Sequence, residues 1–288
     1  MGASNSKAGT IGSIEASGER AARKAAASHT FELLTRLGYG VRGLIYITMG
    51  LLAIQVVLGK GGGLTTPQGA ISTIGKQPAG LLLLWIVLIG LISYSLWGVV
   101  RAVFDPLNKG KDAKGLMARF GFLMSAFGYA VMILPTYGYI MGASHATSAS
   151  QTEKIITAVI AMPGGRWAIG LIGLAVMVAG VYQVYLGISS KFERQFQIYA
   201  LTPKEVQLTT NIARFGTAAR GVVLAIVGSL VMLAAYRVNP SQPVGMDTAL
   251  ATLMHQPYGI WLVGIVALGL IAFGFYSVLG AVWFRLKR

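Results

Sequence analysis

The sequence predicts an all-α integral membrane protein: six transmembrane helices, built as three tandem two-helix repeats in a pseudo-threefold arrangement. Three observations carry this. The 288 residues are 55% hydrophobic and only 11% charged, where a soluble domain carries about 25% charged residues. Uncharged, mostly apolar stretches cover 43–59, 77–100, 120–142, 167–190, 221–236 and 258–284, and a helix of roughly 20 such residues crosses a ~30 Å hydrocarbon layer. Finally, one pair of motifs returns three times along the chain. A helix closes its own backbone hydrogen bonds, which lipid demands of any spanning segment.

The first helix of each repeat opens on an Arg-x-Gly: Arg36-Leu37-Gly38, Arg119-Phe120-Gly121 and Arg214-Phe215-Gly216. Repeats one and three carry a second Arg six residues on, followed by glycine, as Arg42-Gly43 and Arg220-Gly221. The middle repeat has Ser125-Ala126 there, and then Tyr129 where repeat one has Tyr46. Each second helix opens after a proline, at Pro78-Ala79-Gly80, Pro163-Gly164-Gly165 and Pro257-Tyr258-Gly259. A short amphipathic piece precedes each: Ala70-Ile71 with Ile74, Ile155-Ile156 with Val159-Ile160, and Ala249-Leu250 with Leu253-Met254. The i, i+3, i+4 spacing predicts helices lying flat at the outer interface, which proline then breaks. The chain therefore divides into an N-terminal arm over 1–30 and repeats over 31–110, 111–195 and 196–288. The arm is rich in Ala, Ser and Gly, a composition that favours disorder. Residues 19–35 read as a helix on the cytoplasmic leaflet, with Phe31, Leu33 and Leu34 inserted.

Inside the second helices, Trp97, Tyr182 and Tyr276 share one position, and Trp167 and Trp261 match near the outer mouth. Aromatics at these depths read as belt anchors. Glycine is abundant, at 38 residues, with Gly138-x-x-x-Gly142 in the third span and Gly259, Gly264, Gly269 and Gly274 along the sixth. Small residues let helix backbones approach closely in lipid. Pro135 predicts a kink in the third span, with Thr136, Tyr137 and Tyr139 around it.

Taken together, Arg-x-Gly-Tyr-x-x-Arg-Gly-x-x-Tyr over Arg36–Tyr46, Gln77-Pro78-x-Gly80 and Gln256-Pro257-x-Gly259 resemble the bacterial integral membrane family called domain of unknown function 1206. The resemblance covers about residues 31–288. The middle repeat departs from it, with no second Arg and with Met162 in place of Gln. The family implies the six-span repeat fold and no established activity.

Charge placement sets the expected topology. Of 24 Lys and Arg, all but Lys60, Lys76, Lys154, Arg166 and Arg237 fall on the side that holds both termini. Both termini are therefore expected in the cytoplasm of a bacterium, with the protein in its inner (plasma) membrane. The net charge of +15 reads as this topology signal plus attraction to anionic lipid headgroups, at about 1 kcal/mol per basic residue near the surface. No basic face with interleaved aromatics points to nucleic acid. The expected partners are anionic headgroups and other membrane-protein subunits. There is no cysteine, which excludes disulfides and thiolate chemistry. Met1 to Ser6 fits the short N-myristoylation pattern, which six spans make redundant.

Arg42 and Arg220 are the leading candidates for binding an anionic lipid or solute. Six residues at 1.5 Å rise place each about 9 Å deeper than its opening Arg. A planar guanidinium there either snorkels, pairs internally with Asp105 at the end of helix two, or binds phosphate. Arg101, Arg36, Arg119 and Arg214 are further candidates for the same chemistry. A transport pathway would require Tyr46, Ser125, Tyr129, Arg42 and Arg220 to face a cavity on the axis, with Pro135 and Tyr137 marking a kink site of the type that transporters use. No Asp or Glu lies inside a predicted span, and His29, His145 and His255 fall outside the spans without metal-ligand spacing. Neither a catalytic set nor a cofactor site is read, so no enzymatic activity is expected. The functional expectation is a structural, accessory or lipid-organising role, with a small-solute transporter or channel as the alternative.

Overall fold

The computed structural model describes residues 29–105, 110, 112–142, 158–159, 161–189, 203–237 and 245–283. The N-terminal arm to residue 28, His145 and most of the middle amphipathic piece lie outside them. Nine helices are defined there, and no strand: α1 (His29–Val57), α2 (Pro67–Gly75), α3 (Gly80–Phe104), α4 (Ala113–Ala130), α5 (Ile133–Ile140), α6 (Gly165–Ile188), α7 (Pro203–Arg237), α8 (Met246–Met254) and α9 (Gly259–Trp283). Six spans result, each long and apolar enough to cross a membrane: α1, α3, α4 with α5, α6, α7 and α9.

The Pro-x-Gly motifs form the same turn three times. The middle residue takes positive φ, at Ala79 (61°), Gly164 (74°) and Tyr258 (61°). The next amide then donates back across the turn: Gly80 to the Gln77 carbonyl (2.8 Å), Gly165 to Met162 (2.9 Å) and Gly259 to Gln256 (2.8 Å). A Cβ on Gly80 would fall 1.9 Å from the Gly75 carbonyl oxygen, and one on Gly259 1.9 Å from that of Met254, so the third motif position must be glycine. The amphipathic helices α2 and α8 precede two of these turns. They bury Ala70, Ile71 and Ile74, and Met246, Ala249 and Leu250. Thr66 caps α2 by accepting the Gly69 amide at 3.2 Å.

The third span is interrupted between α4 and α5, around Val131 and Met132. Pro135 has no amide to return to Val131. The Met132 carbonyl beside it accepts both the Thr136 amide (3.2 Å) and the Thr136 hydroxyl (2.7 Å). Of the aromatics sharing one position, Trp97 is wholly buried in the bundle, Tyr276 is half-buried and Tyr182 is exposed. Trp97 is thus a core residue rather than a belt anchor, whereas Trp167 and Trp261 are exposed.

Each boundary between repeats is a packed helix pair: α3 on α4, α6 on α7, and α9 on α1. Second helices align on Gly80, Gly165 and Gly259, and first helices on Arg36, Arg119 and Arg214. In that register Ser95, Gly180 and Gly274 cross Ala126, Gly221 and Gly43. A Cβ on Gly180 would lie 2.7 Å from the Gly221 carbonyl oxygen, and one on Gly274 2.8 Å from that of Gly43. At the third crossing the Ser95 hydroxyl donates to the Ala126 carbonyl at 3.0 Å.

Within repeats one and three the two helices also pack, α1 on α3 and α7 on α9. The glycine of Arg-x-Gly receives an aromatic residue there: Tyr94 lies against Gly38 and Phe273 against Gly216. The middle repeat has Ala179 at that position. Gly121 has nothing within 4 Å of its Cβ site, and no comparable packing joins α4 or α5 to α6. In space the spans therefore follow one another as α4–α5, α3, α1, α9, α7, α6. The contacts at the repeat boundaries are cyclic, but the middle repeat is parted, so the expected pseudo-threefold arrangement is incomplete.

Gly180→Val is expected to destabilise the protein by about 1–3 kcal/mol, because the new side chain overpacks a closed crossing. Gly128→Ala, with open space at its Cβ site, is expected to be neutral or to stabilise by up to about 1 kcal/mol. Unfolding of the detergent-solubilised protein in graded denaturant measures both.

Candidate functional site

The arginines of the first helices lie at two depths. At the shallower one, each opening arginine binds the last carbonyls of the preceding second helix. Arg119 donates through Nε to Ala102 (2.7 Å) and through Nη2 to Val103 (2.8 Å). Arg214 donates through Nε to Gly187 (3.0 Å) and through Nη2 to Ile188. Arg36 donates through Nη2 to Val282 and lies 4.0 Å from Glu32. Val103, Ile188 and Val282 are one position in three copies. A helix end leaves its last carbonyls without partners and carries partial negative charge. The fork of a guanidinium answers both. Arg119 and Arg214 each hold two carbonyls this way, whereas Arg36 holds one and its buried Nε has no hydrogen-bond partner among the described residues.

Six residues deeper, Arg42 and Arg220 come together in one cluster. Arg42 donates through Nη1 to the Tyr94 hydroxyl at 2.5 Å. Arg220 donates through Nε to the Tyr46 hydroxyl at 2.8 Å and through Nη1 to Gln183 Oε1. Both guanidinium carbons lie over the Phe273 ring, at 4.4 Å for Arg42 and 5.2 Å for Arg220. Tyr46 stands edge-on to Phe273 at 4.9 Å, and Tyr129 packs against Tyr94 at 4.5 Å. The buried Tyr129 hydroxyl and Arg42 Nε have no hydrogen-bond partner among the described residues. Five spans contribute: α1, α3, α4, α6 and α7, with α9 supplying the shared ring.

Among the described residues no carboxylate pairs with either arginine. The one ion pair among the described residues is Arg36 with Glu32. Asp105, expected as an internal partner, instead accepts the Gly110 amide at 2.8 Å, beyond the end of α3. An arginine at the bilayer centre costs about 2.5–3.5 kcal/mol on insertion scales. Ring faces recover up to about 2 kcal/mol per desolvated cation. Tyr94 and Tyr46 accept from the arginines, so each hydroxyl keeps its own proton to donate. Two cations ringed by phenolic donors make an arrangement suited to an anion.

Arg101 is 4% exposed on α3. Its Nη1 donates to the Tyr39 hydroxyl at 3.4 Å, and its guanidinium lies 4.4 Å over Phe122 and 5.4 Å over Trp97. Its Nε and Nη2 have no partner among the described residues. Ser125 lies half-buried on α4, Pro135 is half-buried on α5, and Tyr137 is exposed away from the cluster. Sequence reasoning missed Tyr94, Phe273 and Gln183. The first two share one repeat position opposite the Arg-x-Gly glycine, and Gln183 is an amide within an apolar helix; either was a usable signal.

Arg119→Ala is expected to destabilise the protein by about 1.5–3 kcal/mol for each charge-assisted bond lost. Arg119→Lys should recover part of that, since an ammonium cannot match the fork on two carbonyls. Thermal unfolding in detergent separates the two variants.

The sequence matches known proteins over most of its length. The family model described as Domain of Unknown Function (DUF1206) matches three times, at 37–105, 120–190 and 215–283. An uncharacterized protein of Bacillus subtilis (strain 168), YxxB, is 32% identical over 248 residues, covering 86% of this chain and 89% of that one. No solved structure matches. With three tandem copies that each cover a helix pair, the chain belongs to the DUF1206 family of multi-pass membrane proteins.

Proposed function

We propose that the protein is a non-catalytic, lipid-organising component of a bacterial inner membrane that holds an anionic group at the Arg42–Arg220 centre. One observation carries this reading. Two guanidiniums from equivalent repeat positions share the Phe273 ring, beside the hydroxyls of Tyr46, Tyr94 and Tyr129, with no carboxylate paired to either among the described residues. A cationic pair at this depth is costly without a counter-charge, and an anionic headgroup supplies one. Lys and Arg gather on the face that holds both termini, which favours cytoplasmic termini and draws anionic lipid to that leaflet.

Native mass spectrometry of the purified protein with phosphatidylglycerol tests the reading. Arg42→Gln with Arg220→Gln is expected to reduce the bound anionic lipid at least about tenfold, while phosphatidylcholine binding stays unchanged. Unaltered phosphatidylglycerol binding would refute it.

A second reading, a small-solute transporter, is favoured by Arg42, Arg220, Tyr46 and Tyr129 meeting inside the bundle. The lipid-organising reading expects no phosphate or organic-anion flux in proteoliposomes above protein-free vesicles. Flux abolished by Arg220→Gln would decide for transport. An accessory role in a larger complex predicts stoichiometric partners on extraction in mild detergent, read from particle mass.

A further inference from the structure

The middle repeat differs from its neighbours at three positions that close their helix pairs. Tyr94 and Phe273, 2% and 3% exposed, become Ala179, which is exposed. Gly90 and Gly269, each against the first helix of its repeat at Val41 and Ala219, become Ala175, also exposed. Ile45 and Val223, fully buried, become Gly128, with nothing within 4 Å of its Cβ site. Large residues are removed from both walls in register, and α4 and α6 part. Yet these two helices supply two of the polar groups of the buried cluster: α4 gives Tyr129 and α6 gives Gln183. Tyr129 is 6% exposed and lies in the field of Arg42 and Arg220, and its hydroxyl has no partner among the described residues. Lipid tails are as apolar as the side chains of these spans, so exposing the opening to the bilayer carries no hydrophobic penalty.

We infer that the seam between α4 and α6 is a lateral portal from the bilayer to the Arg42–Arg220 centre, occupied by the chain of an anionic amphiphile whose phosphate or carboxylate sits on the two arginines. This rests on the anion-binding reading above and names the source of the anion. Charge complementarity selects the occupant. A neutral lipid leaves the guanidiniums without a counter-ion, and a second copy of this chain would bring the same positive centre. The centre lies about 9 Å below Arg36, at six residues and 1.5 Å rise, so a ligand arriving along the seam keeps its chain in hydrocarbon while its charge reaches the arginines.

The test uses the full chain in phosphatidylcholine nanodiscs with oleyl phosphate carrying a diazirine on its chain. Wild type is expected to be labelled on α4 and α6, around Gly121, Met124, Gly128, Ala175 and Ala179. Ala179→Phe, which restores the ring that Phe273 places on Gly216, and Ala175→Phe should each lower labelling about tenfold. Leu174→Phe, on the lipid-facing side of α6, should leave it unchanged. If both seam variants fail to fold, the positions labelled in wild type decide, and labels away from α4 and α6 overturn the portal. Full labelling of folded Ala179→Phe and Ala175→Phe overturns the portal too, while loss in Arg42→Gln with Arg220→Gln leaves the anion centre standing. Undiminished labelling in that arginine variant refutes the anion centre itself. Displacement by inorganic phosphate at equal molar concentration places the ligand's source in water and overturns the portal. A wild-type dimer that Ala179→Phe converts to monomer makes a second copy the occupant and overturns it as well.

Discussion

Helices that associate in lipid gain little from burying apolar surface, because their surroundings are already apolar. Cohesion must come from close backbone approach and from polar groups with nowhere else to go. In this protein both are concentrated at the boundaries between repeats. The Gly180–Gly221 and Gly274–Gly43 crossings bring backbones together, and the opening arginines clamp the carbonyls at the end of the helix they cross. The two devices sit on the same helix pairs and fix both separation and axial register. The rest of the structure hangs from these three pairs, including the spacing within a repeat, which is tight twice and loose once.

The deeper arginines depend on that frame. Arg42 reaches Tyr94 across one interface and Phe273 across another, and Arg220 reaches Tyr46 and Gln183 in the same way. Slippage of any one pair by a turn would strand a guanidinium in hydrocarbon. The shallow arginines are spent on carbonyls and the deep ones are not, although all descend from one repeat. What separates them is the neighbour: a frayed helix end offers carbonyls, whereas mid-helix offers only ring faces and hydroxyls.

The spans, the Pro-x-Gly turns and the two tiers of arginine were legible in the sequence, because each depends on local chemistry repeated in register. Partners were not. Nothing near Arg36 announces that its acceptor is Val282, 246 residues away, and Asp105 looked a better partner for the deep arginines than tyrosine did. Equal spacing of motifs implied equal repeats, hence a threefold bundle. The departure was nevertheless written in single letters: Ala179 and Gly128 lose volume and Ala175 adds a methyl where the neighbours have glycine, which only becomes meaningful once the helix faces are known. Trp97 was misread for a related reason: an aromatic at belt depth is a lipid anchor only if its helix face points outward.

Because α1 packs on α9, the first of these six spans to be made is held by the last of the six. The Gly43 and Gly50 face of α1 stays unmatched until Gly274 and Ala267 emerge. At ~5–20 residues per second, the 246 residues between Arg36 and Val282 take roughly 10–50 s to synthesise. Throughout that interval α1 is a membrane helix with a groove for a backbone and a guanidinium without its carbonyl. Any small-residue helix at the insertion site is a competitor for it. The same adjacency brings both ends of the helical region to neighbouring helices, so the order in which the spans are written along the gene is separable from the order in which they pack.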